Sequence, residues 1–305
     1  YPKMSENKVE KKILRNWSPT ETRLSNIERK VRILDRDTQF YKNIPIPSWI
    51  ELSLIDACNR TCSFCPKSDD SIAPNSYQKM TITLVDKLCN DLKKIGFEGA
   101  FCLSGYGEPT LHKEIHKIIL KLSVLGAVEL ITNGDTLTPK KIQEFYDSNL
   151  SKLVVSMYDG EHQIKKFKDM EKESNVPKDF LVLRNTWYNK EENYGLLLTN
   201  RAGTNSEGDQ PKIDLKKSCF YPAYTSVIEW NGDIFLCCHD WQRRMAMGNI
   251  MQKDFFEIWN DPIYRKYRKN LLEGNRKNKP CSDCNANGTI HGYKHAKDWK
   301  RFYKI

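Results

Sequence analysis

The stretch WIELSLIDACNRTCSFC, residues 49–65, decides how the rest of the chain is read. Its opening, WIELSLI, is a short apolar run rich in aliphatic residues and predicts a strand. Directly after it, Cys58, Cys62 and Cys65 stand in the spacing C-x3-C-x2-C. A closed structural zinc site wants four ligands, usually two C-x2-C pairs far apart, and this loop offers three cysteines with no nearby histidine. A 4Fe-4S cube is normally held by four thiolates, so three from one loop leave one iron without a protein ligand, open to a small molecule.

Working outward, similar runs at 99–104, 127–132, 152–157, 180–185 and 194–200 bring the expected strands to six. The segments 83–95 and 113–125 have helical apolar spacing and stop at Gly96 and Gly126; Thr138-Pro139 supplies an N-cap and a proline at the first helical position. Strands alternating with helices predict an α/β chain with a parallel sheet and right-handed crossovers. Only eight residues separate the last two runs, too few for a crossover helix. A cysteine loop just after a strand lies where a parallel barrel places its chemistry.

At 305 residues and 39% apolar content the chain supports one large domain with a smaller annex. No run reaches membrane-spanning length and the first residues lack a signal-peptide pattern, so a cytoplasmic protein without a membrane partner is expected. The net charge of +10 arises from basic residues interleaved with acidic ones and comes with no nucleic-acid motif, so nucleic acid is not an expected partner. Ten cysteines without a secretion signal point to metal or redox chemistry, with Cys89 and Cys102 read as core thiols. The expected division is a basic extension over 1–48, a barrel over 49–205, and a cysteine-rich domain over 206–305, with the turn-rich stretch 200–212 at the boundary.

With Phe64 before the third cysteine, the motif reads C-x3-C-x-Φ-C and resembles the signature of the radical S-adenosylmethionine superfamily. The resemblance implies a partial (β/α)6 TIM-like barrel. It further implies a cluster on Cys58, Cys62 and Cys65 that cleaves S-adenosylmethionine to a 5'-deoxyadenosyl radical, which takes hydrogen from a substrate carbon. The segment SGYGEP (104–109) looks like the family's glycine-rich segment: Gly105 and Gly107 would admit backbone to the ligand, and Glu108 would receive the methionine ammonium. Thr132 and Asn133 in TNGD, and Ser156, stand where the family contacts ribose and carboxylate. Arg184, also placed among the cofactor contacts, and Arg201 are candidates to clamp a substrate carboxylate or phosphate.

The second cysteine group, C-x12-G-x4-C…C-x2-C, resembles the start of the SPASM domain and its shorter twitch form. It implies one auxiliary 4Fe-4S cluster on Cys219, Cys237, Cys281 and Cys284; a zinc site on the same four is the alternative. Cys238, His239 and Asp240 follow and are candidates for a catalytic base or a hydrogen-donating thiol. The expected activity is dehydrogenation of a small-molecule or peptide substrate, with a reductant such as flavodoxin or ferredoxin. Radical epimerisation or cross-linking of a peptide or sugar is the alternative. An electron carrier or redox sensor would leave SGYGEP and TNG without a purpose.

Overall fold

The computed structural model describes residues 21–186, 199–207 and 210–305. Helix α1 (Glu21–Leu34) precedes a short hairpin of β1 (Phe40–Tyr41) and β2 (Ile44–Pro45). Then come β3 (Trp49–Ser53), α2 (Ile82–Lys94), β4 (Ala100–Ser104), α3 (Ile115–Ser123), β5 (Ala127–Thr132), α4 (Pro139–Asp147), β6 (Lys152–Met157), α5 (His162–Glu173) and β7 (Leu181–Asn185). The strand-helix alternation is the α/β pattern, and β3 to β7 lie side by side and parallel. The helix starts follow the sequence: Thr81 caps α2 by accepting from the Leu84 amide, and Thr138 caps α4 ahead of Pro139.

Five of the six expected strands form in place. Of the sixth, residues 194–198 lie outside the described residues, while Thr199 and Asn200 are in coil. Among the described residues the sixth parallel strand is β8 (Thr225–Ile228), and it joins the opposite edge, pairing Trp49 with Thr225 and Leu52 with Ile228. The sheet continues antiparallel through β9 (Asp233–Phe235) and β10 (Ala246–Asn249), giving the order β10-β9-β8-β3-β4-β5-β6-β7. The run TSVI that forms β8 is four residues long and sits within the cysteine-rich segment, so periodicity gives it no prominence.

The two faces of the sheet are put to different uses. Ile50, Leu52, Phe101, Leu103, Val128 and Leu130 pack under the helices in the main core. The alternate residues Trp49, Glu51, Ser53, Cys102 and Ser104 line an internal cavity. A closed barrel fills this space with layers of branched apolar side chains; here polar side chains face it.

The C-terminal part is held by α6 (Tyr221–Tyr224), α7 (Phe255–Trp259), α8 (Pro262–Leu272) and α9 (Tyr293–Tyr303). Arg268 on α8 is fully buried and lies 4.1 Å from the ring centroids of both Trp259 and Trp299. It donates to the carbonyls of Pro222 at 2.6 Å and Trp259 at 3.2 Å, so one cation joins α6, α7, α8 and α9. Arg268→Leu keeps bulk but strands two carbonyls and removes the cation from its aromatic cage. It is expected to cost about 3 kcal/mol and lower the urea midpoint by about 1 M; an unchanged midpoint would contradict this account of the cage.

Candidate active site

The cysteine loop leaves β3 through Ile55, which bridges to Lys79. Its backbone is pinned by buried polar groups. Asn75 accepts from the Cys58 amide at 3.0 Å, and the Lys67 ammonium donates to the Asp56 and Pro74 carbonyls. The Cys65 amide closes a turn onto the Cys62 carbonyl at 2.9 Å. Burial raises all three thiols, Cys65 up to about 11, so a bound cation is needed to keep them as thiolates. Three thiolate donors on one loop fit a cluster with an open iron.

The neighbouring strand ends are tied to this loop and to one another. Glu108, 3% exposed, accepts four hydrogen bonds: from the amide and hydroxyl of Thr110, the Thr132 hydroxyl at 2.7 Å, and the Asn133 amide at 2.9 Å. Its carboxylate is thus engaged in joining the loops after β4 and β5. Asn133 then donates to Asn59 at 2.7 Å and to the Cys58 sulfur at 3.9 Å, which carries the link to the cysteines. A Cβ on Gly107 would stand 1.9 Å from the Ile55 carbonyl, and one on Gly105 2.0 Å from the Ser53 hydroxyl. These glycines therefore let the SGYGEP chain approach β3 and the start of the cysteine loop, and Gly105 also lines the large internal cavity. Ser156 accepts from Arg184 at 2.5 Å and so orients that guanidinium.

The second cysteine group converges on its own cavity. Cys219, Cys237, Cys281 and Cys284, far apart in sequence, line one small internal space with mostly apolar neighbours. The Arg276 guanidinium also borders it, held by the carbonyls of Lys217, Ala286 and Ser218. Burial raises Cys281, Cys284 and, up to about 11, Cys219; a hydrogen bond with the Cys238 thiol and then burial raise Cys237; and Arg276 favours the thiolates of Cys219, Cys281 and Cys284. The amides of His239 and Ala286 point at the Cys237 and Cys284 sulfurs at 3.2 and 3.4 Å. Four thiolates with a buried cation and amide donors fit a complete auxiliary cluster.

Cys238 faces the other way. It borders the cavity of about 450 Å³ above the inner sheet face, together with Phe64, Cys65, Arg184, Arg201 and His239. Of the expected cofactor contacts, Phe64, Gly105 and Arg184 line this cavity, while Gly107, Glu108, Thr132, Asn133 and Ser156 stand behind it. His239 reaches it as a neutral ring, because burial, Arg201 and Arg276 hold its pKa well below the usual value. Its Nδ1 lies 3.2 Å from the Thr199 hydroxyl and 3.4 Å from Arg201 Nη1. Asp240 does not face the cavity. Its Oδ2 accepts from the Met245 amide at 2.8 Å and its Oδ1 lies 3.5 Å from Arg244. Among the described residues the carboxylates that line the cavity are Glu51 and Glu229, and the polar position inside the apolar run WIELS is the sequence signal for the first.

Arg60, between the first two cysteines, pairs with Asp135 after β5 and with Asp159 after β6, at 2.6 and 2.7 Å. Its guanidinium also lies over Tyr158, whose ring contacts Phe64 at 5.6 Å. Arg60→Ala is expected to speed chelator removal of iron from the three-cysteine site roughly tenfold, with the four-cysteine site unaffected. Equal rates at the two sites would show that the arginine does not hold the loop.

Residues 52–173 match the model of the radical SAM superfamily, and residues 219–285 match that of SPASM, an iron-sulfur cluster-binding domain. The chain is 29% identical over 243 residues to the S-adenosyl-L-methionine-dependent 2-deoxy-scyllo-inosamine dehydrogenase of Niallia circulans, covering 78% of this chain and 92% of that protein. It is 28% identical over 120 residues to the mitochondrial GTP 3',8-cyclase of Arabidopsis thaliana, covering 36% and 28%. Among solved structures, BtrN in complex with AdoMet and 2-DOIA is similar at a TM-score of 0.68 and 26% identity, over 83% of this chain and 98% of that one. Native anSMEcpe with bound AdoMet, at a TM-score of 0.52 and 14% identity over 85% and 97%, shares the fold. The two matched families fall on the two cysteine groups that the structure separates by a cavity, so the chain carries a radical SAM domain over residues 52–173 and a SPASM-type iron-sulfur domain over residues 219–285.

Proposed function

We propose that the protein is a radical S-adenosylmethionine dehydrogenase that oxidises a carbinol carbon of a small hydroxylated metabolite. The observation that carries this reading is the cavity of about 450 Å³, whose walls bring Phe64 and Cys65 from one cysteine group against Cys238 and His239 from the other. Similarity to the 2-deoxy-scyllo-inosamine dehydrogenase supports the substrate class. When bound and reduced, the first cluster supplies the electron that turns S-adenosylmethionine into the hydrogen-abstracting radical. Cys58, Cys62 and Cys65 hold that cluster, and Phe64 and Gly105 border the space for its ligand.

The chain's own residues then handle the proton and the charge. Glu51 accepts one hydrogen bond, from Trp49 Nε1 at 3.2 Å, and keeps acceptor capacity towards the cavity, so it serves as base for the substrate hydroxyl. Glu229 is occupied by Arg243 at 2.9 Å. In this reading Glu51 takes the role of base in place of His239, which Thr199 and Arg201 face at Nδ1, and of Asp240, which holds the Met245 amide. Cys219, Cys237, Cys281 and Cys284 would hold the auxiliary cluster, which would supply an acceptor for the remaining electron. We place the division at 1–48, 49–205 and 206–305, the reductant as flavodoxin- or ferredoxin-like, and the oxygen-sensitive chemistry in the cytoplasm.

A second reading rests on Cys238, whose place on the cavity wall suits a thiol that returns hydrogen, as in an epimerase or cross-linking enzyme. Turnover in deuterated water separates the two. A dehydrogenase yields one oxidised product per 5'-deoxyadenosine, with no solvent deuterium at the reacting carbon and turnover retained in Cys238→Ala. Solvent deuterium at that carbon, lost with Cys238→Ala, would establish the second reading instead. Glu51→Gln should lower the oxidation rate roughly 100-fold or more while substrate still binds; an unchanged rate would remove Glu51 from the role of base.

A further inference from the structure

Helix α1 has no part in either cysteine group, yet it builds one end of the cavity. Leu34 packs with Trp49, Ala100 and Cys102 at the N-terminal end of the inner sheet face, opposite the end from which the three-cysteine loop emerges. Asp35, just past the helix, accepts from the amides of Gly292 at 2.6 Å and Tyr293 at 3.0 Å. This joins α1 to the segment carrying Asn287 and His291, and Lys30, Asn287 and His291 all line the same cavity.

The polar atoms at this end are mostly donors, and they lack partners. Arg184 Nε, Asn287 Nδ2, His291 Nδ1 and Thr225 Oγ1 are buried without a hydrogen-bond partner among the described residues. Asn287 and Thr225 are only 4% and 1% exposed, so neither is satisfied by bulk water. Lys30 lies 5.2 Å over the Trp49 ring and enters no ion pair among the described residues. It also stands near enough to His291 to help depress that ring's pKa, mainly lowered by burial, to about 3, which keeps the imidazole neutral. Among the described residues Glu51 lines the cavity without an ion pair, while Glu229 is paired with Arg243, and the cations Lys30, Arg184 and Arg201 line the same cavity. Orphaned buried donors of this kind cost free energy unless a ligand meets them.

We propose that α1 and the segment 287–291 form a donor-lined pocket for an anionic group of the substrate, a carboxylate or a phosphate monoester, with Lys30 as its point charge. This rests on the dehydrogenase reading for the rest of the cavity. The anion would sit at the α1 end and leave the oxidisable carbon towards Phe64 and Cys238.

The test is isothermal titration of reconstituted enzyme, with S-adenosylmethionine present, using glucose 6-phosphate, glucuronate and glucose as probes. At least one anion should bind roughly tenfold or more tighter than glucose, the size of one charge-assisted bond. Preference for the phosphate or for the carboxylate identifies the group. Lys30→Met, which keeps the stem over Trp49, should abolish the preference without altering S-adenosylmethionine affinity, and Lys30→Arg should retain it. Equal binding of all three probes, no saturable binding of either anion, or a preference that survives Lys30→Met would overturn the proposal. Formation of 5'-deoxyadenosine, followed in parallel, keeps the two readings apart. Anion preference without cleavage sinks only the radical reading, and cleavage without anion preference sinks only this one.

Discussion

The buried carboxylate of Glu108 is the constraint on which the site depends. A carboxylate taken out of water is costly unless each oxygen is met by donors, and here four donors from two loops meet it. The loops after β4 and β5 therefore cannot shift independently, and Asn133 passes that rigidity to the Cys58 sulfur. Arg60 completes the arrangement from the other side by tying the cysteine loop to the loops after β5 and β6. A cluster that must keep one iron open gains from such a frame, because three ligands alone fix less than four.

The second element of the design is the division of labour between the sheet's faces. Strand alternation gives every other residue to the helical core, where Ile50, Phe101 and Val128 are fully buried. The remaining positions carry Glu51, Cys102 and Ser104 into a cavity that an ordinary barrel would fill with apolar side chains. β8 then adds the cysteine-rich segment to the same sheet beside β3, so both cysteine groups are positioned by one hydrogen-bonded framework. The adjacent Cys237 and Cys238 make use of this: one residue borders the four-cysteine space and the next borders the larger cavity.

Much of this is legible in sequence because it depends on local pattern. Three cysteines after an apolar run, Thr81 and Thr138 as caps, and five strand runs all express short-range chemistry. What sequence does not show depends on contacts between distant residues. Glu108 reads as a ligand contact in sequence, and the donors it meets from Thr132 and Asn133 become visible only in the fold. Asp240 reads as a candidate base in sequence, and the Met245 amide and Arg244 beside it become visible only in the fold. TSVI at 225–228 is too short to announce itself as a sheet strand, and α1 has no motif that would tie it to a cavity wall formed around 250 residues later.

The central claim is that two clusters of different kinds flank one cavity, only the first open to S-adenosylmethionine. Electron paramagnetic resonance of the reduced, reconstituted protein, recorded with and without S-adenosylmethionine, tests it most directly. The account predicts two reduced 4Fe-4S signals, of which one shifts on addition of S-adenosylmethionine while the other stays in place. A single signal, or two signals both indifferent to S-adenosylmethionine, would contradict it.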